Sequence, residues 1–553
     1  MQQLPWRRKT VNLASRLRRR EVCGAPSGAV VAHNRRLYEC FMPTEMVCRI
    51  EPPDCHVCKY TPSGEYLVCF GNMQHDLLVY RHTGLHFSTG ADEDETWVPP
   101  EALAFSSFFQ PVYQKMLAHG TEVLCKDFCL VAQREQFLIV ASSTPPISNS
   151  EGTSEMQSSV QGVPMVASIK FLLVSMRDGE VLDNYTIHDD FVHLAHNAGA
   201  YLYQNRLAIL AIRSQTVHVV QVLPSGKLLL VQKVGQHCRE DDELVLDLAL
   251  DAQQRWRRPT QDSGLGEDRG RLESHASAGP GPSSLAASRG LEPRLIEGFK
   301  QRLLAFLFKM RQSERPASDA LKRFYYYFEE YARLVIWKVQ FLDADHLLLS
   351  LGAADAAVAR NNDASQQVTF LVVYDMRAAR VVAFHDNRSS ELMHLYLDFA
   401  PAFHAGCLDM PWERFITPCP ASLHAGGPTH RAHTQHWSQA QVIKRVLGAI
   451  PATSQVLSAS PYLDGMLFQY DEKLISPMIR PRPFAEQPIK IAARSAPDRL
   501  RFRIYPSHIE VQSQTGRPVK HLVSYHFHPF QPFILCVLQT FVQPAQISIY
   551  LRL

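Results

Sequence analysis

Apolar runs about four to eight residues long, each closed by a short polar turn, recur through most of this chain. The clearest pair stands near the two ends: YTPSGEYLVC, from Tyr60 to Cys69, and FHPFQPFILC, from Phe527 to Cys536. Tyr60, Pro62, Tyr66, Leu67 and Cys69 match Phe527, Pro529, Phe533, Ile534 and Cys536 at the same offsets. Proline fixes φ and has no N–H for a ladder, so it belongs in the turn between two strands. The near-continuous apolar run after it suits a strand buried on both faces. LLVY follows the first copy and ISIY the second, each as a third strand, which makes the repeat an antiparallel unit.

Weaker copies fill much of the interval: FCLVAQREQFLIVAS, YLYQNRLAILAIRSQTVHVVQVLPSGKLLLVQKV, VIWKVQFLDADHLLLSLG, VTFLVVYDMRAARVVAFHD and LFQYDEKLIS. All read as short strands with tight polar turns. Helical crossovers are missing between most of them, which argues against a parallel, doubly wound sheet. The pattern predicts a mainly β fold, a β-propeller of seven WD-like blades over residues 25–553, at roughly 40–45 residues per blade. Like units at the two ends let the terminal strands meet and close the ring; a stacked sandwich is the competing arrangement.

Inserted segments interrupt the strands. Residues 144–164 and 257–292, rich in Ser, Gly and Pro, read as disordered loops. Helical insertions are predicted at 293–333 and 388–450. In the first, Ile296, Phe299, Leu303, Phe306 and Met310 share one helical face, and Leu321, Phe324, Tyr325, Phe328 and Ala332 share one in the next helix. The second holds SSELMHLYLDF and QAQVIKRVLGAI, the latter stopped by Pro451.

Composition narrows the classes. Of 553 residues 46% are hydrophobic, enough for a large core, and a net charge of +3 is nearly neutral for this size, unlike a surface built throughout for nucleic acid. No apolar run approaches the roughly 20 residues that span a bilayer, which predicts a soluble chain with no membrane partner. Cys55 and Cys58 form a CxxC without a second pair, on a segment read as a strand, where residues three apart face opposite ways; buried reduced thiols are expected. No dinucleotide, phosphate-loop, HExxH or GxSxG signature is present, so no enzyme, no cofactor, no metal and no small-molecule substrate is expected. His430, His433 and His436 read as a solvated loop, and Glu240, Asp241, Asp242 and Glu243 as an exposed turn.

Two segments read as partner surfaces. TVNLASRLRRREV (Thr10 to Val22) places Leu13 and Leu17 on one helical face beside Arg16, Arg18, Arg19 and Arg20, the pattern of a docking helix, an import signal or a nucleic-acid arm. In KRFYYYFEEYARL five consecutive aromatics encircle a helix, so some, Tyr326 and Tyr327 among them, are expected on the outside.

The segments LASRLRRREV, YLYQNRLAILAIRSQTVHVVQV, SPYLDGMLFQYDEKLI and FHPFQPF, in this order, resemble the De-etiolated 1 family of light-signalling and ubiquitination regulators. The resemblance implies a nuclear, non-catalytic, propeller-like subunit of a cullin 4 RING ubiquitin ligase. Its implied partners are the damaged-DNA-binding adaptor with its small associated subunit, a ubiquitin-conjugating enzyme, the constitutive-photomorphogenesis RING ligase, and chromatin. It also implies that residues 1–24 are the adaptor-docking arm, with Leu13 and Leu17 as anchors and the four arginines as flanking charge. The alternative is a nuclear scaffold that binds nucleic acid or chromatin directly.

Overall fold

The computed structural model describes residues 42–50, 52–83, 105–145, 166–195, 199–239, 298–313, 317–353, 369–386, 460–463, 468–475, 488–493, 500–505, 521–540 and 545–551, with shorter pieces at 163, 242, 389, 391–392, 394–395, 399, 447 and 450. The arm residues Leu13, Arg16, Leu17, Arg18, Arg19 and Arg20 lie outside these, as do His430, His433 and His436.

After β1 (Glu45–Ile50) come four meanders of four strands. The first is β2 (Cys55–Tyr60), β3 (Tyr66–Gly71), β4 (Asp76–His82) and β5 (Phe109–Met116). The second is β6 (Val123–Ala132), β7 (Phe137–Thr144), β8 (Ser168–Ser175) and β9 (Val181–His188). Next come β10 (Ala200–Tyr203), β11 (Arg206–Ala211), β12 (Thr216–Val222) and β13 (Leu228–Val234), then β14 (Val335–Phe341), β15 (His346–Gly352), β16 (Phe370–Asp375) and β17 (Arg380–Asp386). A three-stranded sheet joins β18 (Phe468–Gln469), β19 (Ile489–Ala493) and β20 (Leu500–Ile504). The last sheet departs from chain order: β21 (His521–Phe527), β22 (Ile534–Thr540) and β23 (Gln546–Leu551) are completed by β1, which pairs antiparallel with β23. The described residues thus hold six sheets, and a seventh is not among them. One predicted strand is corrected: in LFQYDEKLIS only Phe468–Gln469 is extended, and Glu472–Ile475 turns into a short helix that buries Leu474 and Ile475.

Five of the six sheets are apolar on both faces because each lies between two cores, while β18–β20 meets a single core and exposes Lys490 and Arg503 on its other face. Along β3, Leu67 and Cys69 pack against the sheet of β1 and β21–β23, while Val68 and Phe70 pack against the sheet of β6–β9. All four side chains are fully buried, a gain of ~1.5–3 kcal/mol for each large one. The same alternation links β6–β9 to β10–β13, β10–β13 to β14–β17, and β18–β20 to the closing sheet. Cys55 and Cys58 follow it too, the first facing one core and the second the other, and both are free thiols. Beyond β14–β17 the next core is helical, with Leu392, Leu395, Leu447 and Ile450 on Leu348, Leu371 and Val373.

The two sequence repeats are neighbours. In their turns Thr61 N donates to Tyr66 O (2.8 Å) and His528 N to Phe533 O (2.9 Å), equivalent bonds in equivalent places. His528 Nε2 then donates to Gly64 O at 3.0 Å, tying one turn to the other. Gly64 has φ +74°, and a Cβ there would strike the His528 ring, so both conformation and contact require glycine.

A feature absent from any local sequence pattern recurs in all six sheets. One edge strand of each, β5, β9, β13, β17, β20 and β1, carries one extra residue, a β-bulge, at Val112, Leu182, Val231, Val382 and Arg501, and within Cys48–Arg49 on β1. A bulge increases local twist and spoils the regular edge that another strand needs for pairing. It also turns Val112, Leu182, Val231 and Val382 outward, and all four are exposed. Among the described residues no helix is long and apolar enough to cross a membrane.

Candidate protein-interaction surface

The helical insertion is seated on the third and fourth meanders. Its first helix, α1 (Gly298–Ser313), starts where Gly298 adopts φ +54° against the carbonyls of Gly235 and Gln236, leaving no room for a Cβ. Phe299 N donates to Gly235 O at 2.7 Å. From there Phe299, Leu303 and Leu307 enter the core between the two meanders, with Phe306 and Met310 packed at its margin, the face that the sequence spacing predicts.

A second anchor corrects the reading of the acidic run. Asp242 is no free surface carboxylate: it accepts from the Cys238 and Arg239 amides at 2.9 and 3.1 Å and pairs with Arg302 of α1 at 3.0 Å. Burial raises its carboxyl, but the Arg302 guanidinium and the two amides outweigh that and hold it below the usual carboxylate range. Four acids in a row gave no sign of this, because the partner stands 60 residues on.

The next predicted helix is divided. α2 (Ala317–Tyr326) and α3 (Phe328–Ala332) meet at Tyr327, where φ is −95° and ψ is 8°. Lys300 Nζ donates to Ala332 O at 2.9 Å and holds the end of α3 to α1. Phe324 points inward, 4% exposed, with ring centroids 5.5 Å from Phe308, 5.8 Å from Phe328 and 6.3 Å from Tyr331; Tyr331 in turn meets Phe384 of β17.

The remaining aromatics stay outside. Tyr325, Tyr326 and Tyr327 are 65%, 79% and 40% exposed, and Tyr326 and Tyr327 stand edge to face with centroids 4.9 Å apart. The charges beside them pair locally, Lys322 with Asp319 and Arg333 with Glu329, exposed pairs that contribute under ~1 kcal/mol each. Rings with two side-chain torsions bury large area on binding at little entropic cost, which is why tyrosine is enriched where proteins meet. Phe324→Ala is expected to cost ~3–5 kcal/mol of stability. Tyr326→Ala with Tyr327→Ala is expected to stay within ~0.5 kcal/mol, since neither ring is buried. Urea unfolding of the two variants checks both values.

Among the described residues no set of three or more His, Cys, Asp or Glu side chains is arranged to hold a metal ion. Burial raises the thiols of Cys58, Cys125 and Cys129 and so disfavours the nucleophilic thiolate.

Comparison with known proteins supports the family resemblance seen in the sequence. The family described as De-etiolated protein 1 Det1 matches residues 126–552. The light-mediated development protein DET1 of Solanum lycopersicum is 36% identical over 98% of this chain and 99% of its own length. That of Arabidopsis thaliana is 35% identical over the same shares. Among solved structures, a putative exported protein of Bacteroides fragilis aligns over 64% of this chain and 62% of its own, at 8% identity and a TM-score of 0.21, values too low to bear on the fold. A match over most of the length, with relatives above one-third identity from end to end, means that this chain belongs to the De-etiolated 1 family.

Proposed function

We propose that the chain is a non-catalytic scaffold of a nuclear cullin 4 RING ubiquitin ligase, its sheets the blades of a β-propeller and its residues 1–24 the tether to the damaged-DNA-binding adaptor and the adaptor's small subunit. The observation that carries this reading is the pairing of β1 with β23. It fastens the start of the body into the last sheet and leaves Leu13 and Leu17 upstream, on a segment separate in sequence from every described strand. A helix with so few apolar anchors is marginal in isolation, so it folds on the partner, with the arginines adding encounter rate more than affinity.

The exposed tyrosines of α2 and the turn after it offer a second contact, for a ubiquitin-conjugating enzyme or the constitutive-photomorphogenesis RING ligase. Holding two partners on one body raises their effective concentration without bond chemistry in this chain. The targets are nuclear regulators, and the names of the plant relatives point to light-dependent development as the setting there. Co-purification tests the tether: Leu13→Asp with Leu17→Asp is expected to lose the adaptor while the melting temperature holds, and undiminished adaptor binding would remove the arm from the mechanism.

A further inference from the structure

Apart from the tether and the tyrosines, the first meander brings two thiols and a phenol together on one face of its sheet. We propose that Cys55 is a site of reversible oxidation by hydroperoxides, with Cys69 as the thiol that resolves it into a disulfide between β2 and β3.

The strand register assembles the group. Cys55 of β2 stands opposite Gly71 of β3, and Val57, two residues on, stands opposite Cys69, so Cys55 and Cys69 are diagonal neighbours on one face of adjacent strands. On β4, Tyr80 stands opposite Leu67 and therefore shares that face. All three side chains pack on the core between the first meander and the closing sheet. Gly71 puts no side chain across from Cys55, which leaves the Cys55 thiol room to lean toward that of Cys69, and the two are hydrogen-bonded. The Tyr80 hydroxyl gives Cys55 a second hydrogen bond.

Position divides the roles. Cys55 opens β2 directly after the exposed Asp54 and is only partly covered, whereas Cys69 is fully buried, so an oxidant from solvent meets Cys55 first. Charge follows the same division. The bonds from Cys69 and Tyr80 outweigh burial and the Asp54 carboxylate and hold the Cys55 thiol below its ordinary value, while burial and then the bond to Cys55 push Cys69 up. The negative charge thus settles on the accessible sulfur and the proton on the buried one. Other cysteines act as internal controls, because burial raises Cys58, Cys125, Cys129 and Cys238.

With hydrogen peroxide the Cys55 thiolate attacks one oxygen and the O–O bond breaks. The departing hydroxide takes the Cys69 proton and leaves as water, and Cys55 becomes a sulfenic acid. The Cys69 thiolate then attacks the Cys55 sulfur; the S–S bond forms, the S–O bond breaks, and hydroxide takes a proton from solvent and leaves as the second water. The two sulfurs lose two electrons and the peroxide gains them.

The test treats the purified full chain with hydrogen peroxide, blocks the remaining thiols with N-ethylmaleimide and maps tryptic peptides by mass spectrometry. The expected product links Ile50–Lys59, which carries Cys55, to Tyr60–Arg81, which carries Cys69. It should form equally in Cys58→Ser, be absent from Cys55→Ser and disappear with dithiothreitol. In Cys69→Ala the sulfenic acid has no resolving thiol, so dimedone should label Cys55 ahead of Cys58, Cys125 and Cys129. Tyr80→Phe should slow alkylation of Cys55 about threefold at an unchanged melting temperature, a loss of thiolate partly offset by the greater nucleophilicity of a more basic sulfur. Peroxide that leaves Cys55 a free thiol, joins it to Cys58 instead, or oxidises Cys58, Cys125 and Cys129 as readily would overturn the proposal, as would equal alkylation with and without the Tyr80 hydroxyl.

Discussion

Replacing Val47 and Ile50 together by aspartate is expected to abolish cooperative unfolding of the whole chain. Both side chains are nearly sealed, 4% and 2% exposed, in the core that β1 shares with β2, β3, β22 and β23. Each carboxylate placed there without a partner costs several kcal/mol, or stays protonated at a similar cost. The pair together therefore approaches the ~5–15 kcal/mol that holds a typical domain. Unpairing β1 also bares the edge of β23 and uncovers Ile547 and Ile549, adding a sticky edge to the loss. Calorimetry should show no sharp transition and size exclusion should show aggregates. A sharp transition close to that of the unsubstituted chain would mean that the first strand is dispensable and that the β1–β23 seam holds nothing together.

Mild acid is expected to weaken the fold strongly, through four desolvated imidazoles, His528 buried and His82, His218 and His526 half-buried. Burial lowers His82 and His218 to about 4, and His526 and His528 to about 3, from an ordinary value of 6.5. The bonds of His528 show why: Nδ1 accepts from the Phe530 and Gln531 amides at 3.1 and 2.9 Å while Nε2 donates to Gly64 O. A second proton would leave Nδ1 facing two donors. His218 Nδ1 stands 2.7 Å from the Tyr185 hydroxyl on the neighbouring sheet. Because the folded values lie below the unfolded one, the unfolded chain takes up protons first as pH falls. The stabilisation is complete above the unfolded value and declines steadily below it. Each imidazole accounts for ~1 kcal/mol per pH unit in that window, and the four together for ~5 kcal/mol between about pH 7 and about pH 5.5. Urea titrations at the two pH values measure the difference, and His218→Gln should remove about a quarter of it. An unfolding midpoint that stays fixed across this range would show that these rings are solvated.

Much of the architecture is written in local pattern. YTPSGEYLVC and FHPFQPFILC announce two like hairpins because a proline turn followed by a doubly buried strand leaves a distinctive run, and the structure sets these hairpins side by side through His528 and Gly64. The inward stripe Phe299, Leu303 and Phe324 was legible from helical spacing, and the outward Tyr326 and Tyr327 from the surplus of aromatics around one helix, whereas Tyr325, which that spacing placed on the inward face with Phe324, is exposed. What stayed hidden depends on distant partners. A bulge at Leu182 or Val231 is a property of two strands in register, and either strand alone looks ordinary. Asp242 reads as one more surface acid until α1 brings Arg302 to it. DEKLIS has the apolar content of a strand, but Glu472–Ile475 closes a helical turn whose Leu474 and Ile475 both enter the core between β18–β20 and the closing sheet.

The central claim, a folded body tethered by its arm, is tested most directly by titrating the purified cullin 4 adaptor against two forms of this chain, residues 1–553 and residues 25–553. The account predicts that both forms melt at the same temperature and that the shorter one binds at least about a hundredfold more weakly, a difference of ~2.7 kcal/mol. Equal affinity of the two forms would contradict it and move the adaptor contact onto the sheets themselves.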